Sequence, residues 1–320
     1  MPKLFAIIIL VWGVCLNVQV IAIDVFLPDI RSQFPAMTWS GQSGQEVGAI
    51  FQNPAFLAKT DGYQMSLNHT QPYQDFSHLI LGYTQPVSHI QFGFGYSYFS
   101  STNIPRTIIN DLGKIVSTGQ VQFGIHHARF TGAWLLQKDL SVGGALAWHS
   151  QNMDTQSVSH ITADLGIYYA YTDTLFLGVH TQDLLRHLLS GRNTGSFSSE
   201  LVIEGTYRDP EKSLSLASTF SSIMLGGEFF LGPYFSLFGH VNLRSNIVSS
   251  RHSIGTALYL LPFTLRYAYF QESVPGLQNT QHLLGIQYQF NGPGKQVEKF
   301  RIFPYFLKRL TRRLKPILKK

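Results

Sequence analysis

Hydrophobic and polar residues alternate along most of this chain, and the alternation is sharpest toward its C-terminal end. In the run that closes at Phe290, Leu284, Ile286, Tyr288 and Phe290 share one face, while Leu283, Gly285, Gln287 and Gln289 share the other. Successive strand side chains point to opposite faces, so this run predicts a strand with one greasy face and one small or polar face. The preceding run repeats the pattern, with Phe263, Leu265, Tyr267 and Tyr269 set against Thr264, Arg266 and Ala268. Upstream, Ile90, Phe92, Phe94, Tyr96 and Tyr98 oppose Gln91, Gly93, Gly95 and Ser97. Val142, Leu146 and Trp148 likewise oppose Ser141, Gly143, Ala145 and Ala147. The same period predicts fourteen strands, at 63–69, 78–85, 89–99, 121–136, 140–150, 161–170, 175–181, 199–207, 213–219, 223–231, 235–243, 252–260, 263–271 and 281–290. These lengths suit tilted strands crossing a membrane. An open sheet edge in lipid would leave backbone groups without partners, so the prediction is an all-β, closed, antiparallel transmembrane β-barrel.

The connections point the same way. The gaps after odd-numbered strands are 70–77, 100–120, 151–160, 182–198, 220–222, 244–251 and 272–280; those after even-numbered strands are 86–88, 137–139, 171–174, 208–212, 232–234 and 261–262. All the odd gaps except 220–222 exceed every even gap. Outer-membrane barrels alternate long external loops with short periplasmic turns. A soluble sandwich has no reason to keep that rhythm.

Charged residues make up 13% of the chain, about half the usual share. Spans of about 20 apolar residues, the mark of a helical membrane protein, are missing except near the N-terminus. There Lys3 precedes the apolar run Leu4 to Ile21, which fits a secretory signal cleaved after Ala22; a retained anchor helix is the alternative. The single cysteine, Cys15, lies inside that signal, so a mature chain would hold neither a disulfide nor a reactive thiol. The net charge of +6 is unevenly placed: ten of the 24 basic residues but one of the 18 acids fall in 291–320, which leaves 14 bases against 17 acids upstream. The basic character therefore belongs to the tail.

From Ile23 to Thr60 the alternation lapses. The segment ends in Asn53-Pro54-Ala55-Phe56-Leu57-Ala58, where Asn is a good helix cap and Pro is favoured at the first helical position, so a short helix is expected there. This segment resembles the Asn-Pro-Ala signature near the start of fatty-acid-transporter-like (FadL-like) outer-membrane proteins. It is more specifically similar to the shorter branch that includes the PorV/PorQ proteins of type IX secretion and many uncharacterised relatives. Further matches are Asp139-Leu140-Ser141-Val142-Gly143-Gly144, Asp164-Leu165-Gly166-Ile167-Tyr168-Tyr169, Leu175-Phe176-Leu177-Gly178-Val179 with Gln182-Asp183-Leu184, and Leu265-Arg266-Tyr267-Ala268-Tyr269 followed by Gly276-Leu277-Gln278-Asn279-Thr280-Gln281-His282. The resemblance implies a fourteen-stranded barrel with the N-terminal segment folded inside as a plug. It divides the chain into a signal at 1–22, a plug segment at 23–60, a barrel at 61–290 and a tail at 291–320. Two features depart from it: the short leader and the basic tail after the last strand.

Four ionisable residues, Asp164, Glu204, Glu228 and Arg266, point into the lumen by alternation, where such groups must be watered or paired. They could lock the plug through ion pairs, but an ordinary porin-like wall is the favoured expectation. Gap 100–120 carries Ile104 and Ile108, and gap 182–198 carries Leu184 and Leu188. Greasy external loops of this kind could collect a hydrophobic ligand, dock a protein, or simply cap the barrel mouth. In the tail, Phe306, Leu307, Leu310, Leu314, Ile317 and Leu318 fall near helical spacing among Lys308, Arg309, Arg312 and Arg313. That pattern predicts a basic amphipathic helix on the anionic inner leaflet of the outer membrane, a solvated tail being the alternative. Nucleic acid is a poor partner for an exported chain.

No His-Glu-x-x-His, Gly-x-Ser-x-Gly or phosphate-binding glycine loop occurs, although His126-His127 is a notable pair. The sequence therefore predicts neither an enzyme nor a metal or cofactor site. It predicts an outer-membrane barrel of a Gram-negative-type bacterium that passes or binds a hydrophobic small molecule. The alternative is a non-transporting component of a secretion system or an envelope scaffold. Lipids, a hydrophobic ligand or secretion proteins are the expected partners.

Overall fold

Period-two alternation becomes strand throughout, and the strands close on themselves. The computed structural model describes residues 47–290 apart from 61, 74, 110–113, 155, 183, 185–199, 210, 219–221, 233, 245–248, 261 and 275–276. Its strands are β1 (Tyr63–Tyr73), β2 (Phe76–Val87), β3 (Ile90–Ile109), β4 (Ile115–Gln137), β5 (Leu140–Met153), β6 (Gln156–Ala170), β7 (Leu175–Gln182), β8 (Glu200–Arg208), β9 (Lys212–Ser218), β10 (Ser222–Phe230), β11 (Phe235–Arg244), β12 (Ser249–Leu260), β13 (Phe263–Val274) and β14 (Leu277–Phe290). Each strand pairs antiparallel with its sequence neighbours, and β1 pairs with β14 from Tyr63↔Phe290 to Gln71↔His282. That last ladder joins the sheet's two edges, which a sheet in lipid cannot leave open.

The register carries the alternation around the wall. Phe130 on β4 sits opposite Leu146 on β5, and both point outward, 63% and 56% exposed. One residue along, Thr131 and Ala145 point inward and are buried. Leu165, Ile203, Leu216, Leu225, Leu237, Ile254, Leu265, Leu284 and Leu67 continue the exposed apolar surface around the circumference. An apolar belt of this extent, with no charged side chain among the described residues that form it, is the surface that a bilayer covers.

Two sequence expectations change. The predicted loop 100–120 is instead an extension of β3 and β4, paired from Ile104↔Val121 to Ile109↔Ile115 with two register shifts. Ile104 and Ile108 are thus strand residues. The arms of β5 and β6 also lengthen until they meet across 154–155, and those of β13 and β14 until they meet across 275–276. Apart from the connection 183–199 between β7 and β8, the long-short rhythm is therefore one of strand overhang at one end of the barrel. Beyond the belt no lipid enforces a greasy face, so the alternation stops while the backbone ladder continues. Arg106 on the β3 extension forms an ion pair with Asp154 beyond β5, strapping the projecting hairpin to its neighbour. Residues 1–22, Leu188 and the tail with Lys308, Arg309, Arg312 and Arg313 lie outside the described residues.

Inside the barrel lie two short 3-10 turns, Val47–Phe51 and Pro54–Lys59. Val47, Ala49, Ile50, Phe51, Ala55, Phe56 and Leu57 are all buried there, and with Ile80, Ala133 and Tyr168 of the wall they belong to one apolar cluster.

Replacing Leu146, midway between the ends of the belt, by Arg should cost about 2–4 kcal/mol, whereas Leu146→Ala should cost far less. Denaturant titration in lipid vesicles would measure both.

Candidate functional site

The expected short helix forms as a 3-10 turn, and Asn53 is its organising residue. Its backbone is extended, and its Oδ1 accepts from the Ala55 N–H at 3.0 Å while Pro54 occupies the first helical position. The same side chain uses its amide nitrogen to hold the wall: Nδ2 donates to Glu204 Oε1 at 2.7 Å and to the Ile167 carbonyl at 3.2 Å. Asp could cap the turn but would repel Glu204. Asn supplies both an acceptor and two donors, and here all three roles are filled.

The wall makes room for this segment with glycine. A Cβ on Gly143 would strike the Pro54–Ala55 backbone, and one on Gly166 would strike Asn53 Oδ1. At Gly95 it would meet the Phe51 ring, and at Gly93 Ile50 and Leu57 at 2.7 and 2.9 Å. These residues all face inward on β3, β5 and β6. Close packing leaves no space for a side chain at any of them. Phe56 adds an edge-to-face contact with Tyr168, ring centroids 4.7 Å apart.

Around this apolar seat, polar wall groups reach the turns' own carbonyls. Ser141 Oγ donates to the Ala55 carbonyl at 3.0 Å, Thr131 Oγ1 to that of Ile50 at 3.4 Å, and Arg129 to that of Gln52 at 3.3 Å. Arg129 is 1% exposed and forms an ion pair with the equally buried Asp164 two strands away. Lys59, at the end of the second turn, donates to the Lys138 carbonyl at 2.8 Å. Burial pushes its ammonium pKa below the ordinary value, against the opposing pull of Asp139.

The structure thus divides the four lumenal charges. Glu204 bonds directly to Asn53, and Asp164 reaches the plug segment through Arg129. Glu228 bonds instead within the wall, accepting from Ser236 at 2.6 Å and from Tyr259 at 2.8 Å. Arg266 is buried on β13 opposite Gly285. Leu184 is tied to β6, its backbone N–H donating to the Ala163 carbonyl.

Arg129 and His180, whose Nδ1 lies 3.5 Å from Glu204 Oε1, were absent from the sequence candidates. Both were within reach of the alternation rule, since Arg129 has the parity opposite to Phe130. The pair His126-His127 splits between the two faces. His127 faces inward and heads a stack with His149 and His160, centroids 4.2 and 4.8 Å apart and rings within 11° of parallel. Phe51 packs edge-on against His127 at 6.0 Å. Among the described residues, no group of three or more His, Cys, Asp or Glu is placed to hold a metal ion.

Among solved structures, the chain is similar to the TodX deltaS2S3 mutant monoaromatic hydrocarbon channel, at 10% identity over 76% of this chain and 94% of that one, with a TM-score of 0.56. It is also similar to a FadL homologue of Pseudomonas aeruginosa, at 10% identity over 77% and 95%, with a TM-score of 0.52. The likeness is one of fold: this chain shares the closed-barrel architecture of those structures. No protein-family model matches the sequence, nor does any curated protein.

Replacing Gly143 by Val should displace the turns at 47–59 and raise their amide hydrogen exchange, while the barrel keeps its heat-modifiable migration on gels. Gly132→Val is the control, because Gly132 faces outward with its nearest neighbour, Phe92, 3.8 Å from an added Cβ. Asn53→Ala removes a hydrogen bond to a buried carboxylate, a loss of about 1.5–3 kcal/mol, so exchange at 54–59 should rise roughly 10- to 150-fold.

Proposed function

We propose that this chain is an outer-membrane channel that passes a hydrophobic small molecule through a plugged lumen. The observation that carries the proposal is the manner in which residues 47–59 are held. They fill part of a lumen too wide for wall side chains alone to close, and hydrogen bonds and apolar packing hold them against the wall. The single cysteine, Cys15, allows no disulfide tie. A stopper joined to the wall through its own backbone at β1, with no cross-link, can shift. The fold shared with the TodX hydrocarbon channel and the FadL homologue supports the substrate class, as does the greasy cluster of Ile50, Phe51, Phe56 and Leu57 on the plug. In this scheme residues 1–22 are the export signal, Ile104, Leu184 and Leu188 collect ligand at the mouth, and the basic tail rests on the inner leaflet of the outer membrane.

A second reading, a secretion-system component or envelope scaffold of the PorV/PorQ kind, is favoured by the projecting β3–β4 hairpin. The hairpin is strapped in place by Arg106 and Asp154, and its Ile115 is 74% exposed.

Flux into proteoliposomes separates the two. On the channel proposal, wild type admits toluene or oleate faster than empty vesicles do, and Gly143→Val raises the rate about tenfold or more. If neither protein admits a hydrophobe although the variant's plug is displaced, and trimming the hairpin to Ser101 and Phe123 abolishes capture of stoichiometric protein partners, the scaffold reading replaces it.

A further inference from the structure

The same three-residue arrangement occurs twice on the outside of the barrel, on separate parts of the wall. On β3 and β4, His126 pairs in register with Tyr98, and its Nδ1 lies 2.8 Å from the hydroxyl of Tyr96, two residues nearer the short-turn end. On β13 and β14, His282 pairs in register with Tyr269, and its Nδ1 lies 2.7 Å from the hydroxyl of Tyr267, again two residues nearer that end. Each imidazole also lies against its in-register tyrosine, with centroids 4.6 Å apart at Tyr98 and 5.5 Å at Tyr269.

Both clusters sit where the outward face changes character. Below His126 on β4 come Phe130 and Trp134, and above it Gln122 and Gln120; below His282 on β14 come Leu284 and Ile286, and above it Thr280. The companion strands agree, since Ser100 and Thr102 follow Tyr98, and Gln271 follows Tyr269. That boundary is the headgroup level of the leaflet at the overhanging end, where amphipathic rings settle. A tyrosine alone would suffice to anchor there. A histidine adds an N–H donor that can become a cation, and the bond to tyrosine decides which nitrogen offers it. A phenol hydroxyl donates to Nδ1 more readily than it accepts, which leaves the proton on Nε2. If the ring is charged, Nδ1–H turns to the phenol oxygen and Nε2–H remains. In both states Nε2 presents a donor at headgroup depth.

We propose that the Tyr96–Tyr98–His126 and Tyr267–Tyr269–His282 clusters are two lipid-headgroup sites, each of which holds the phosphate of a phosphorylated lipid through His Nε2–H. This depends on the membrane-spanning fold and not on the channel proposal, because neither cluster touches the plug.

The test is native mass spectrometry of the full chain in dodecyl maltoside, titrated with diphosphorylated lipid A, with the same lipid stripped of phosphate, and with inorganic phosphate. Two molecules of the phosphorylated lipid should be retained. His126→Phe and His282→Phe, which keep the ring, should each remove one, and Tyr96→Phe or Tyr267→Phe should weaken the corresponding site about tenfold, the loss of one hydrogen bond to a charged network. Equal retention of the phosphate-free lipid, or retention unchanged in the double histidine variant, overturns the proposal. Retention of inorganic phosphate alone, with the lipid excluded, overturns the lipid assignment. Heat-modifiable migration identical to wild type certifies that each variant is folded.

Discussion

The constraint on which the whole structure depends is that lipid offers no hydrogen bonds to a peptide backbone. Every strand must therefore have two neighbours, and the pairing of Tyr63–Gln71 on β1 with His282–Phe290 on β14 is the one long-range ladder that meets this demand. Closure then dictates the two faces. The outer face must be apolar because nothing but acyl chain touches it, and the inner face is free to be polar. Fourteen strands also enclose more space than their own side chains fill. The segment at 47–59 occupies part of that space, and the inward glycines at 93, 95, 143 and 166 are the wall's accommodation of it.

Because lipid enforces the alternation, the strands inside the belt were legible from the sequence and those beyond it were not. Residues 104–109 and 115–121 pair as strands, but Pro105, Arg106, Thr107 and Gly119 show no greasy face, since backbone pairing above the membrane imposes none. The same logic explains what was read of the site. Asn53 and Pro54 announce a helical start through local chemistry. Parity alone sends Asp164 and Glu204 inward, and it would have sent Arg129 inward too. Parity cannot say which inward charges meet. Arg129 finds Asp164 from two strands away, and Asn53 finds Glu204 across 151 residues, by barrel curvature and by the seat of the plug.

Glycine carries more of the specification than its chemistry suggests. At Gly143 and Gly166 the absent side chain is the socket for Pro54 and Asn53, while at Gly178 it is the bed for the Glu204 carboxylate that Asn53 grips. Turn, socket and acid are thus set by one another. An inward glycine in a barrel strand reads in sequence as a weak strand position, and only the seated partner turns it into a requirement.

The placement of charge decides whether such a plug can leave. A plug ion-paired directly to its wall would strand a buried charge on departure, at a cost of about 3–5 kcal/mol for each broken pair. Here the ion pair of Arg129 and Asp164 lies within the wall, and the plug meets it with a carbonyl, that of Gln52. Glu204 would lose the amide of Asn53 but keep His180 beside it. Ser141 to Ala55 and Thr131 to Ile50 are hydroxyl-to-carbonyl bonds, and Asn53 to Ile167 and Lys59 to Lys138 likewise end on backbone carbonyls; the neutral bonds among these are worth about 0.5–1.5 kcal/mol each and are replaceable by water. The Arg129–Asp164 pair thus stays together whether or not the plug is seated. Moving it would cost the Asn53–Glu204 bond and the apolar packing of Ile50, Phe51, Phe56 and Leu57, and in the proposed channel a hydrophobic ligand entering the same space would restore the packing part of that cost.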